Sequence, residues 1–234
     1  MNNLRNSFTD TGTQFSCQRK ALRVDIQRSC CPVFVNYPEL GEKKFPVTVL
    51  GELGAKYSTN GTKLISLTGH PIAARLFFGP IQAEVTTKMV YGGEACAALQ
   101  FIEPSSTIRQ MIRTTFELEL TAASLMPFHN FSSFVPGHTH TTNYSDGESS
   151  MELFFSAHEL VGMTGIVQAL EVRFLWSNKN PGLFKIIGLD DDRTQGPELR
   201  RQLVSFVHNL HGLSPDLISA LEKVIGFSPK PYAI

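Results

Sequence analysis

The sequence predicts a mainly β chain: an antiparallel barrel or sandwich built twice in tandem, each copy followed by a helix. Three observations predict it. From Pro32 onward, short runs rich in Val, Ile, Phe and Thr alternate with Gly- and Pro-bearing breaks such as "PELG", "TNG", "GHP" and "YGG". Two arginine pairs at i, i+4 spacing, Arg19 with Arg23 and Arg109 with Arg113, each precede such a run, at an offset of ninety residues. A period of that size is a domain duplication rather than a solenoid. Helical stripes then follow each run of strands.

Residues 1–16 are polar and read as a loose tail. The first copy spans 17–112. Its strands are "PVFVNY", "FPVTVL", "TKLISLT", "ARLFF", "AEVTTKMV" and "ACAALQF". Ser105 or Ser106 caps a short helix whose Ile108, Met111 and Ile112 share a face. The second copy, 113–212, opens on "TTFELELT". There Phe116, Leu118 and Leu120 alternate with Thr115, Glu117, Glu119 and Thr121, which predicts a half-buried strand with a solvated acidic side. Pro127 to Thr142 reads as a loop. "MELFFS", "GIVQALEVRFLW" and "LFKIIGL" are the next strands. "GPELRRQLVSFVHNLHG" is a helix with Leu199, Leu203, Phe206, Val207 and Leu210 in one stripe and Gly212 at its stop. A last helix in 213–234 takes Ser214 as cap and Pro215 in its first turn, with Leu217, Leu221 and Val224 apolar.

Lys plus Arg and Asp plus Glu both number 21, so the net charge is zero. That balance argues against general DNA or RNA binding, which needs a basic footprint, and leaves room for a small basic pocket. Four cysteines without a CxxC pair fit a reduced compartment. The N-terminus lacks a signal-peptide core, and no apolar stretch approaches a membrane span. A soluble cytoplasmic protein without membrane insertion is the expectation.

Arginines four apart on a helix repel, whereas in extended chain their Cα atoms stand up to roughly 13 Å apart and bracket a small molecule. Guanidinium grips phosphate bidentately, stacks on flat rings and pairs with the O6/N7 edge of guanine. The bland alternative is a solvated, snorkelling pair. Other constellations carry less. His138 and His140, with His129 nearby, offer zinc or copper an incomplete ligand set, so no metal is assigned. Asp190 to Asp192 mark a helix entry, and Cys30 and Cys31 read as packed small hydrophobes. There is no GxSxG, HExxH or phosphate-cradling Gly-rich loop, so no catalytic residue and no cofactor are expected.

"QRKALRV" followed by short strands resembles the entry of a PilZ domain, a bacterial receptor module for cyclic di-GMP. The resemblance covers most of the chain as two copies and implies two tandem six-stranded antiparallel β-barrels, each followed by a helix, plus the C-terminal helix. It implies a non-catalytic cyclic di-GMP-responsive regulator of motility, biofilm or exopolysaccharide output, acting on a downstream effector protein. In the first copy, Arg19 and Arg23 match the RxxxR. "VLGELGAKY" stands where the family's [D/N]xSxxG turn falls: Gly54 matches, Val49 replaces the acid or amide and Gly51 the serine. "LISLTG", with Ser66 and Gly69, is a later alternative with Leu64 at the polar position. In the second copy, Arg109 and Arg113 match the RxxxR, and Asn143 and Ser145 of "NYSDGE" match the second motif. Gly147 lies in the turn, and Glu148 takes the place of the final glycine. The resemblance implies that the arginines clamp phosphates and guanines while Asn143 and Ser145 offer polar groups to a base. The alternative is a degenerate PilZ-type adaptor that binds protein rather than nucleotide.

Overall fold

The computed structural model describes residues 22–64, 69–130, 140–180, 184–188 and 196–226. The first half supplies β1 (Arg23–Asp25), β2 (Val33–Asn36), β3 (Lys44–Gly51), β4 (Gly54–Ser58), β5 (Pro71–Phe78), β6 (Ile81–Gly92) and β7 (Cys96–Phe101). They form one antiparallel sheet in the order β1-β3-β2-β5-β6-β7-β4. β4 also pairs with β3, so six strands close into a barrel. Closure follows from alternation: Ile72, Ala74, Leu76 and Phe78 point inward from β5, while the residues between them face out or sit at the rim. Inside, Tyr37, Phe45 and Tyr57 form a tilted triad with centroids 5.7–6.4 Å apart, and the two tyrosine hydroxyls share a 2.9 Å hydrogen bond.

β1 is the seventh strand. It lies on the last residues of β3, from Arg23↔Gly51 to Asp25↔Val49, while β2 takes the first part of β3. "TKLISLT" is not strand at Thr62 to Leu64, and its residues 65–68 lie outside the described residues. The strand β4, which begins within "VLGELGAKY", is additional to the expected set.

α1 (Ser106–Thr115) is capped as expected: the Ser105 hydroxyl accepts from Ile108 N–H at 3.3 Å, and Ile108 and Ile112 enter the barrel core. It crosses residue 113. "TTFELELT" is then a helix rather than a strand: α2 (Glu117–Ser124). The alternation has a physical origin. Phe116, Leu120 and Ala123 recur at helical spacing and pack on the barrel core; Leu118, Ala122 and Leu125 do the same on a second core. Two helical stripes interleaved on a helix buried between two cores imitate a period of two. Glu119 is consequently buried, not solvated, and accepts a 2.7 Å hydrogen bond from the Ser205 hydroxyl.

The second half contributes β8 (Met126–Asn130), β9 (His140–Ser145), β10 (Ser150–Ser156), β11 (Glu159–Val167), β12 (Val172–Ser177) and β13 (Lys185–Gly188). They run as an antiparallel meander in the order β13-β12-β11-β10-β9-β8. Among the described residues β8 and β13 do not meet, so the expected second barrel is an open sheet here. Its apolar face is instead covered by α3 (Pro197–His208) and α4 (Pro215–Ile225), whose Leu203, Phe206, Val207, Leu221 and Ile225 occupy the space a closed barrel would enclose. Of the expected stripe, Leu203, Phe206 and Val207 on α3 and Leu210 just beyond it are buried and Leu199 is partly buried, and Ser214 caps α4 by accepting from Leu217 N–H at 3.2 Å. Both ends of the expected loop from Pro127 to Thr142 are strand, in β8 and β9. "GIVQALEVRFLW" is two strands, broken by a tight turn at Gln168–Leu170 and Glu171 with φ 53°. Among the described residues no helix is long and apolar enough to cross a membrane.

Candidate functional site

Strand register brings the two halves of the first expected motif together. Arg23 pairs with Gly51, Gly51 with Gly54, Gly54 with Gln100 and Gln100 with Lys88. Directly paired residues share a face of a sheet, so these five make one lateral row across β1, β3, β4, β7 and β6 on the outside of the barrel. The two glycines leave the middle of the row without side chains. A pocket of about 430 Å³ opens there, lined by Arg23, Val49, Leu53, Gly54, Lys56, Val90 and Gln100 among others.

The electrostatics of this face are one-sided. β3, β4 and β7 carry no acid, and Asp25, which β1 sets opposite Val49, is held by Gln27 and His208. Glu52, in the β3–β4 turn, is held by Arg113 with Nε and Nη2 2.6 and 3.2 Å from the two carboxylate oxygens. Glu84 on β6 is held by Arg75 at 3.2 Å. The exposed Arg23, Lys56, Lys88 and Gln100 side chains have no hydrogen-bond or ion-pair partner among the described residues. Two cations and an amide thus look into a trough walled by Val49, Leu53 and Val90. Arg19 lies outside the described residues.

The second expected site is not assembled in the same way. Arg109 and Arg113 lie on α1, exposed, one helical turn apart rather than in extended chain. Arg113 serves the first half: its bidentate grip on Glu52 raises its own pKa and ties α1 to the β3–β4 turn. Asn143 and Ser145 belong to β9, and Gly147, φ 97°, sits in the hairpin beyond it. The Ser145 hydroxyl accepts from Gly147 N–H at 3.2 Å, and the Asp146 carboxylate accepts from Glu148 and Ser149 N–H. Asn143 Oδ1 is buried without a partner among the described residues. No hydrogen bond or ion pair among the described residues links this hairpin to Arg109 or Arg113.

Directly after Arg23, the chain is wired to the C-terminal helices. The Asp25 N–H donates to Asn209 Oδ1 at 2.8 Å, and Asn209 Nδ2 donates to the Asp25 carbonyl at 3.0 Å. The Asp25 carboxylate accepts from Gln27 N–H at 2.9 Å and lies 3.6 Å from His208 Nε2. Burial opposes its ionisation, but the His208 imidazole and the Gln27 amide outweigh burial and hold its pKa below the usual aspartate value. Arg28 reaches Glu222 on α4 at 3.4 Å, Arg201 donates to the Ser29 carbonyl, and the Cys30 thiol donates to Glu198 at 3.1 Å. Burial and that acid push the Cys30 thiol up to about 12, as befits a packed rather than a reactive cysteine.

His140 stacks on Phe155 with centroids 4.6 Å apart, and His158 is 6.3 Å away. His129 is on β8, while His138 and Asp190 to Asp192 lie outside the described residues. Among the described residues no group of three His, Cys, Asp or Glu side chains is arranged to hold a metal.

Lys56, Lys88 and Gln100 are the site residues that sequence reading missed. Each is an outward position of a strand, indistinguishable from any solvated residue until pairing places it beside Arg23. No protein-family model matches the chain, and no curated protein matches it in sequence.

Proposed function

We propose that the chain is a non-catalytic cyclic di-GMP-responsive regulatory protein of PilZ type, with its ligand on the outer face of the first barrel. The observation that carries the reading is the row joining Arg23, the second arginine of the RxxxR, through Gly51 to Gly54 of the second motif, with Arg23 and Gly54 both lining one pocket. Its volume is in the range of small-molecule sites. Arg23 and Lys56 face the ligand phosphates, and Leu53 and Val90 lie against the bases. Output runs through β1: a ligand that draws Arg23 toward the trough pulls on the Asp25–Cys30 loop and so on α3 and α4. The effect on motility, biofilm or exopolysaccharide is what the resemblance implies.

A second reading, a degenerate adaptor, is favoured by one observation. Val49 and Gly51 bring no polar group, and Leu53, Val90 and Tyr91 are 40%, 62% and 56% exposed around the same face. Isothermal titration with cyclic di-GMP separates the two. Binding that is abolished by Arg23→Ala supports the receptor. No heat with ligand at high micromolar concentration leaves the adaptor.

A further inference from the structure

We infer that Gln100 sets base specificity at this pocket and that the site accepts adenine alongside guanine. The inference rests on the nucleotide reading of the same pocket. In the motif the chain resembles, the polar contacts come from an acid or amide and a serine; here those positions, at the end of β3, hold Val49 and Gly51. Among the described residues, the one uncharged polar side chain lining the pocket is Gln100, from β7, and it is exposed and has no partner there. It sits three strand spacings from Arg23 along the row, roughly 14 Å at the usual spacing. Lys56 is its diagonal neighbour on β4, and Lys88 is directly opposite on β6. A phosphate held between Arg23 and Lys56 therefore leaves a base within reach of Gln100.

The chemistry of an amide differs from that of a guanidinium. Arginine presents donors only, which suits the two acceptors O6 and N7 of guanine. Glutamine presents one donor group and one acceptor, which matches N6 and N7 of adenine bidentately. Among the described residues, Gln100 is the one side chain lining the pocket that can accept a hydrogen bond from a base amino group. A site using Arg23 for charge and Gln100 for the base edge loses strict guanine selection and gains adenine.

The test is titration of the full chain with cyclic di-GMP and with cyclic di-AMP, for wild type, Gln100→Leu and Lys56→Met. Gln100 and Lys56 are exposed, so both variants keep the barrel, which far-UV circular dichroism verifies. Affinities of the wild type for the two ligands within about tenfold, with cyclic di-AMP binding weakened about ten- to hundredfold by Gln100→Leu, are expected from one bidentate pair. Lys56→Met weakens both ligands alike. Binding of cyclic di-GMP alone, or affinities untouched by Gln100→Leu, overturns this inference and leaves the receptor reading standing. Binding of cyclic di-AMP alone supports Gln100 and overturns the cyclic di-GMP reading. Binding of neither overturns both.

Discussion

Gly51→Ser looks restorative, because serine is the residue the resembled motif carries at that place. The structure makes it damaging, and Gly51→Ala isolates the reason. A Cβ at residue 51 would lie 2.7 Å from the Leu22 carbonyl oxygen, 3.2 Å from Arg23 Cγ and 3.7 Å from Arg23 Cα. Ordinary contact begins near 3.4 Å, so β1 must retreat by about 0.7 Å. It cannot do so freely. Val24 is fully buried in the barrel core and Ile26 nearly so, and Asn209 holds Asp25 on the far side. Overpacking of this kind costs about 1–3 kcal/mol. A loss of about 2 kcal/mol lowers the thermal midpoint of a chain this long by about 4–8 °C. Thermal unfolding followed by far-UV circular dichroism measures the shift, and amide exchange at residues 23–26 reports whether β1 has loosened. A loss under about 0.5 kcal/mol, typical of a free surface site, with β1 exchange unchanged, would refute the placement of β1 against β3.

Three further outcomes follow from paired polar groups. Tyr57→Phe strands the buried Tyr37 hydroxyl and should cost about 1–3 kcal/mol, whereas adding Tyr37→Phe should recover part of it, as read from urea unfolding of the double-mutant cycle. Ser205→Ala removes the donor to buried Glu119 and should cost about 1–3 kcal/mol by the same measurement, while Ser124→Ala, whose exposed hydroxyl only returns to the Thr121 carbonyl, should be near neutral. Asp25 has a folded pKa below its ordinary value of 3.8, so its ionised form adds stability above that value, and the gain is lost as pH falls through the folded pKa. The stability gap between wild type and Asp25→Asn should therefore be full at pH 6 and shrink below pH 3.8; a gap independent of pH would contradict the linkage.

The barrel was legible because its strands alternate and are cut by Gly and Pro; "PIAARLFF" cannot be a helix with one buried face. Caps were legible for the same local reason, and Ser105 and Ser214 act as their positions imply. What failed was anything set by long-range pairing. "FELEL" carries a period of two only because α2 has two buried sides, a fact about its neighbours rather than about itself. Barrel closure depends on whether β4, one tight turn after β3, also reaches the distant β7, which no local pattern encodes, and the second sheet stays open because two helices fill its face. The site divides in the same way. Arg23 and Gly54 were visible as motif fragments, but Gln100 and Lys56 enter through register alone.

The two halves are less independent than a duplication would make them. β1 has three residues, too few to persist as a strand by itself. One edge of it is β3. On the other, the Asn209 side chain accepts from the Asp25 N–H and donates to the Asp25 carbonyl, as a neighbouring strand would, and its Nδ2 also donates to the Ser205 carbonyl within α3. The position of Arg23 is thus set by the barrel and by α3 together. Arg28 and His208 both approach Glu222, so α4 joins the same network. A charge pulling on Arg23 either strains the Asn209 pair or carries α3 with it. α3 is itself packed on the open sheet through Leu203, Phe206 and Val207. On the function proposed above, a ligand at the barrel surface would act on the second core through this strand of three residues and the amide of Asn209.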